Sequence, residues 1–168
     1  VANHIAGFVE NVTLVTGLGE NNSHEDFIRS KLEKNVIPNF YYFNDAPTVI
    51  KKRYVTADLN KLFEVYDYNE HPTLKDNGAQ LGCWLKNNAR NFDIVVIPDF
   101  GNGFVSQDMV ETLCDESRFL AVNTQVNSGN RGYHVINRYP RADFISLNVP
   151  ELRLATHNNY DPLEGLAE

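Results

Sequence analysis

The sequence predicts an α/β fold with a mostly parallel central sheet. Short β-branched runs alternate with longer segments whose apolar residues recur at helical spacing, an order that produces right-handed βαβ units. Three apolar runs stop at a carboxylate or amide, Asp99, Asn123 and Asn148, which would gather along one rim. One stretch in the first half breaks the alternation with consecutive strand-like runs and no helix between them. That marks a small antiparallel sheet projecting from the main body.

Val1, Ile5 and Phe8 recur at helical spacing with no capping residue before them. Val12 to Thr16 alternates and is β-branched, as a strand should be, and runs into the turn Gly17-Leu-Gly-Glu-Asn-Asn22. Ser23 then reads as a helix cap, with Glu25 and Asp26 in the first turn and Phe27, Ile28 and Leu32 inward. Phe40–Phe43, Thr48–Val55 and Leu62–Tyr68 read as an antiparallel meander, with Asn44-Asp45-Ala46-Pro47 as a tight connection. Asn77 to Arg90 predicts a helix with Leu81, Trp84, Leu85 and Ala89 inward, followed by a buried strand over Asp93–Asp99. Ser106 caps a helix that buries Met109, Val110, Leu113 and Cys114. Strands follow at Phe119–Val122 and Asp143–Leu147, and a last helix starts near Pro150, since proline suits a first helical turn.

The 168 residues fit one domain able to bury a real core. A net charge of −7 excludes a non-specific nucleic-acid binder, which needs a basic surface, and Lys51-Lys52-Arg53 is too short to supply one. No run reaches the ~20 apolar residues that span a bilayer, so no membrane partner is expected. Cys83 and Cys114 lie far apart within helical apolar patterns and read as buried free thiols, in keeping with a reducing, cytoplasmic setting. Val1 is not an initiator methionine and opens inside a helical pattern, so both termini read as cuts in a longer domain. The five histidines lack the short spacing of a zinc site, and no Gly-x-Ser-x-Gly elbow suggests a serine hydrolase.

In open α/β sheets ligands bind beyond the carboxyl ends of the strands, which makes Asp99, Asn123 and Asn148 the first candidates. The same residues also suit ordinary turns. In Asn148-Val-Pro-Glu151 a strand-end amide and a carboxylate in the first helical turn can face one ligand or a metal-linked water. Glu151 alone equally suits the helix dipole. The loop Asn127-Ser-Gly-Asn-Arg-Gly132 can bring backbone N–H groups and Arg131 to a phosphate, or serve as a plain surface loop.

Taken in order, these segments resemble the ribokinase (PfkB) family, and within it the kinase domain of heptose-phosphate kinase/ADP-heptose synthase proteins. The matching segments are the opening helix, the strand ending in Thr16-Gly-Leu-Gly-Glu-Asn21, the hairpin Pro47-Thr-Val-Ile-Lys-Lys-Arg-Tyr-Val55, Asp99-Phe-Gly-Asn-Gly103 and Asn148-Val-Pro-Glu151. The resemblance implies a three-layer ribokinase-like domain, of which residues 1–168 are the central part, with lid strands at about 40–68. It implies Mg2+- and ATP-dependent phosphoryl transfer to a sugar or sugar phosphate. Asn148 and Glu151 would organise Mg2+ and phosphate, Asp99 would lie near the acceptor, and Lys51 and Arg53 of the lid would meet an anionic sugar or remain solvated.

The family's Gly-Gly-Asn sugar motif and its Gly-Ala-Gly-Asp motif, which supplies the catalytic base, are absent from the 168 residues. The fragment is therefore expected to be inactive alone. Asn123-Thr-Gln-Val126 stands where heptose-phosphate kinases carry Asp-Pro-Lys-Gly, leaving Asn123 and Arg131 as the phosphate-side candidates. The resemblance further implies a homodimer contact through the lid and a nucleotidyltransferase domain fused in the parent, for nucleotide-sugar or surface-carbohydrate synthesis. A degenerate kinase-like module that binds a sugar or nucleotide without turnover is the alternative, and a lid serving mainly as a dimer interface is a third reading.

Overall fold

The computed structural model describes residues 1–69, 74–126, 130 and 132–166. The chain divides into two units, Val1–Ala79 and Gln80–Glu168. In the first, a short helix α1 (Ala2–Ala6) precedes strand β1 (Val12–Asn21), helix α2 (Glu25–Lys31) and strand β2 (Val36–Pro47). β1 and β2 pair in parallel from Val12↔Val36 to Gly19↔Phe43, with a register shift before Asn21↔Pro47. Alternation along β2 buries Tyr41 and Phe43, and Leu18 of β1 is buried with them. Gly19 lies so close to β2 that a Cβ would stand 2.1 Å from the Pro47 carbonyl carbon, which leaves glycine as the residue that fits.

Strands β3 (Ile50–Val55) and β4 (Lys61–Asp67) form the antiparallel pair. The meander expected from sequence is thus a hairpin, and Phe40–Phe43 belongs to the parallel sheet instead. Asn44-Asp45-Ala46-Pro47 is not the turn that its composition suggests. It continues β2 through an irregularity in which Asp45 takes a φ of 53° and Ala46 is buried. Two further expectations shift. The N-cap position of α2 is His24, at φ 53° and without a side-chain cap, while the Ser23 hydroxyl one residue earlier accepts from the Glu25 N–H at 3.4 Å; Phe27 stays exposed beside the Lys31 ammonium. Val1 and Phe8 are likewise exposed, so the apolar stripe of the opening helix does not enter a core.

Helix α3 (Lys75–Asn88) ends in a 3-10 turn, Ala89–Asn91, and leads to β5 (Val95–Asp99), α4 (Gln107–Glu116), β6 (Leu120–Thr124), β7 (Phe144–Ile145), α5 (Val149–Thr156) and α6 (Leu163–Leu166). Strands β5, β6 and β7 form a parallel sheet in that order. Leu81, Leu85 and Ala89 are buried as their spacing predicts, whereas Trp84 is half-buried. Ser106 caps α4 by accepting from the Met109 N–H, and Met109, Val110, Leu113 and Cys114 are buried. Cys114 is a buried thiol as expected; Cys83 is exposed, because it falls on the solvent side of α3.

Arg141 closes the far end of α4. Its guanidinium donates to the carbonyls of Cys114 and Ser117 and to Asp143, whose carboxylate accepts from the Leu120 N–H. That linkage seats the start of β7 beside the start of β6.

Candidate functional site

The second unit carries a rim built from the carboxyl ends of β5, β6 and β7. Parallel pairing sets Asp99 against Thr124 and Pro98 against Asn123, so the sequence candidates share that edge. The Asp99 side chain is only 4% exposed and is enclosed by donors. Its Oδ2 accepts from Arg138 Nη1 at 2.8 Å and from the Tyr139 hydroxyl at 2.7 Å. Its Oδ1 accepts from the Gly101 N–H at 3.2 Å and lies 2.9 Å from His134 Nε2. The His134 contact is short but poorly directed for a hydrogen bond, and it becomes an ion pair when the imidazole is protonated. Burial alone would raise the Asp99 pKa. The contacts with His134, Tyr139 and Gly101 outweigh it and hold the carboxyl below its ordinary value. The Tyr139 hydroxyl is pushed up, first by burial and then by the carboxylate it serves.

Gly101, at φ 71°, lets the chain turn back over Asp99, and a Cβ there would meet the His134 ring at 3.0 Å. Arg138 also donates to the Val105 carbonyl at 2.9 Å, tying the same loop to the rim. His134, Arg138 and Tyr139 were not legible as partners of Asp99, because they lie 35 to 40 positions further along the chain without a spacing that links them to it.

Asn123 donates from Nδ2 to the Ser146 carbonyl at 2.7 Å, which straps β6 to the segment after β7. Asn148 and Glu151 make a full capping box on α5. Asn148 Oδ1 accepts from the Glu151 N–H, and Glu151 Oε2 accepts from the Asn148 N–H, both at 2.9 Å. Glu151 Oε1 accepts from the Val126 N–H at 3.3 Å, which connects the loop after β6 to the helix. Both carboxylate oxygens are therefore engaged in a residue that is buried. Among the described residues, no group of three or more His, Cys, Asp or Glu could hold a metal ion. The side-chain oxygens of Asn148 and Glu151 are spent on the capping box and on the Val126 N–H. Arg131 lies outside the described residues.

Lys51 and Arg53 lie in the first unit, on β3, facing Tyr66 and Glu64 of β4. Arg53 Nε donates to Glu64 Oε1 at 2.6 Å, and Lys51 Nζ stands 3.6 Å from Glu64 Oε2 and 4.9 Å from the Tyr66 ring centre. Lys61 Nζ is also 3.6 Å from Glu64 Oε2, a third cation that sequence reading passed over. The Glu64 carboxyl is held below its ordinary value by the Arg53 hydrogen bond first, with Lys51 and Lys61 adding to it. On the other face Tyr54 stacks on Phe63 at 4.5 Å, and both rings are about half exposed. Among the described residues no helix is long and apolar enough to cross a membrane.

Solved structures share this order of elements. The ribokinase from Giardia lamblia superposes with a TM-score of 0.61 at 14% identity, over 92% of this chain and 47% of its own length. The fold is ribokinase-like. A carbohydrate kinase from Agrobacterium tumefaciens matches with a TM-score of 0.58 at 15% identity, over 87% of this chain and 47% of that one. Sa239 matches with a TM-score of 0.55 at 13% identity, over 92% and 49%. This chain therefore spans about half the length of the ribokinase-like structures that it matches. No protein-family model matches the chain, and no curated protein matches it in sequence.

Proposed function

We propose that the chain is part of an ATP-dependent kinase acting on a sugar or sugar phosphate. The observation that carries this reading is the likeness, over about nine-tenths of the chain, to a ribokinase and a carbohydrate kinase. Phosphoryl transfer of this kind depends on positioning, on neutralising charge and on a base that takes the hydroxyl proton. In this reading the hairpin residues Lys51 and Arg53 contact the acceptor. Asn123 and Arg131 belong to the phosphate side, and Asp99 fixes the turn at Gly101. Asn148 and Glu151 hold the start of α5, so that magnesium arriving with ATP is reached through water rather than bound directly; its chemistry is to offset phosphate charge.

In this reading the 168 residues alone do not turn over. A cytoplasmic parent with a fused nucleotidyltransferase domain, working on a heptose or related sugar phosphate for nucleotide-sugar or surface-carbohydrate synthesis, is the narrower form of the proposal. The half-exposed Tyr54 and Phe63 favour association through the hairpin. Sedimentation velocity should then show a concentration-dependent dimer that Phe63→Ser weakens, and a monomer at all concentrations would remove that part.

A second reading, a binding module without turnover, draws on one observation: Asp99 and Glu151 both spend their carboxylates on protein donors. Acceptor-dependent ADP release by the intact protein decides between the two. Release stimulated by one member of a sugar and sugar-phosphate panel supports the kinase. Binding of ATP and sugar with no release supports the module.

A further inference from the structure

The chain holds two Asn-Gly dipeptides, Asn77-Gly78 and Asn102-Gly103, and the fold treats them differently. A glycine after asparagine has no Cβ to keep its backbone nitrogen away from the asparagine side-chain carbonyl carbon. Whether that nitrogen is held then decides reactivity. Asn77-Gly78 lies inside α3, and the Gly78 N–H donates to the Leu74 carbonyl, so helical geometry keeps the nitrogen occupied. Asn102-Gly103 lies in the loop between β5 and α4, with Asn102 half-buried and Gly103 exposed at φ 83°. Among the described residues no group accepts from the Gly103 N–H. The loop is tied on either side of the dipeptide: the Gly101 N–H donates to Asp99 Oδ1, and the Val105 carbonyl accepts from Arg138. The dipeptide thus spans the gap between two fixed points.

We propose that Asn102-Gly103 is a self-modification site, at which the folded protein converts Asn102 to aspartate and isoaspartate without an enzyme. The Gly103 nitrogen attacks Cγ of Asn102 and gives its proton to water, and the side-chain amide leaves as ammonia. Water then opens the resulting succinimide. Opening at one carbonyl gives aspartate. Opening at the other gives isoaspartate, whose main chain runs through the former side chain and is a methylene longer. The step consumes only water, and it is independent of the kinase reading. Either product places a new carboxylate on the loop at the carboxyl end of β5, a charge that opposes an anionic ligand at that edge. The longer main chain of isoaspartate must also fit between Gly101 and Val105, and it loosens their bonds to Asp99 and Arg138. The dipeptide acts as a clock that alters the rim as the protein ages.

The test is to age the whole chain at neutral and mildly alkaline pH, folded and in urea, and to follow both dipeptides by mass spectrometry. Tryptic cleavage separates them into the peptides Asp76–Lys86 and Asn91–Arg118, and fragmentation locates the change. In the folded protein Asn102 should convert about tenfold faster than Asn77, which reacts only when the first turns of α3 open. Both rates should rise with pH, and urea should bring them together. Amide ¹H–¹⁵N spectra of the aged protein should shift at Gly101 and Val105. Asn102→Gln, whose longer side chain closes a ring far more slowly, should keep its mass and its spectrum under the same treatment. Equal conversion of the two dipeptides in the folded chain, or an Asn102 that stays intact until urea is added, would overturn the site. Conversion that leaves the Gly101 and Val105 amides unmoved would overturn its effect on the rim.

Discussion

On the hairpin, three cations share one carboxylate within reach of solvent; at the rim of the second unit, one carboxylate takes three side chains and is cut off from solvent. Glu64 is surrounded by Lys51, Arg53 and Lys61, whose side chains are 35%, 61% and 58% exposed. Asp99, 4% exposed, is enclosed by His134, Arg138, Tyr139 and the Gly101 N–H. An exposed ion cluster exchanges partners at little cost, because water and a ligand can replace what each group gives up. A buried carboxylate cannot, since losing any donor leaves charge without compensation. The comparison teaches that the charged candidates, Asp99 from its strand end and Lys51 and Arg53 from the resemblance, divide into a buried carboxylate that shapes the rim and an exposed ion cluster.

The largest effect that could break this division is at Asp99. Asp99→Asn should cost about 3 kcal/mol of stability, read from urea unfolding, because Arg138, the Tyr139 hydroxyl and the Gly101 N–H lose the buried charged acceptor that they share. The wild-type contribution also has a pH signature. A carboxyl held below its ordinary value of 3.8 stabilises the fold fully above that pH and loses its contribution as pH falls through the lowered value. The substitution should therefore flatten the acid limb of the stability profile. A variant as stable as the wild type, with an unchanged acid limb, would mean that the Asp99 cluster is not structural.

A smaller effect is expected at Glu151. Glu151→Ala removes its side of the capping box and its contact with the Val126 N–H, and should cost about 1 to 2 kcal/mol. Chemical-shift changes should stay near Asn148 and Val126. A loss below detection would return Glu151 to the list of residues free to serve a ligand.

Much of the second unit was legible in the sequence because its signals are local. Ser106 followed by an apolar stripe gives a capped helix and its buried face, and Asn148-Val-Pro-Glu151 gives a helix start whose reciprocal bonds lie within three residues. The parallel rim followed from strand order alone. What was not legible depends on distance. Asp99 finds its partners in a segment that returns over the sheet, and Lys61 meets Glu64 beside a register irregularity between Tyr54 and Val55. Phe40–Phe43 was placed in the wrong sheet for a related reason. Asn44-Asp45-Ala46-Pro47 has the composition of a turn, and pairing with β1 overrode it. Cys83 and Phe27 carried helical periodicity yet stayed outside, since periodicity gives a face without saying what covers it.

The central claim is that a ribokinase-like fold here serves a kinase whose acceptor is met by the hairpin. Acceptor-dependent ADP release by the intact protein, compared with its Lys51→Ala variant, tests it most directly. The account predicts release stimulated by a phosphorylated sugar, with the variant raising KM for that sugar about fivefold or more while kcat stays near the wild-type value. ATP and sugar binding without ADP release, or turnover of a neutral sugar that Lys51→Ala leaves untouched, would contradict it.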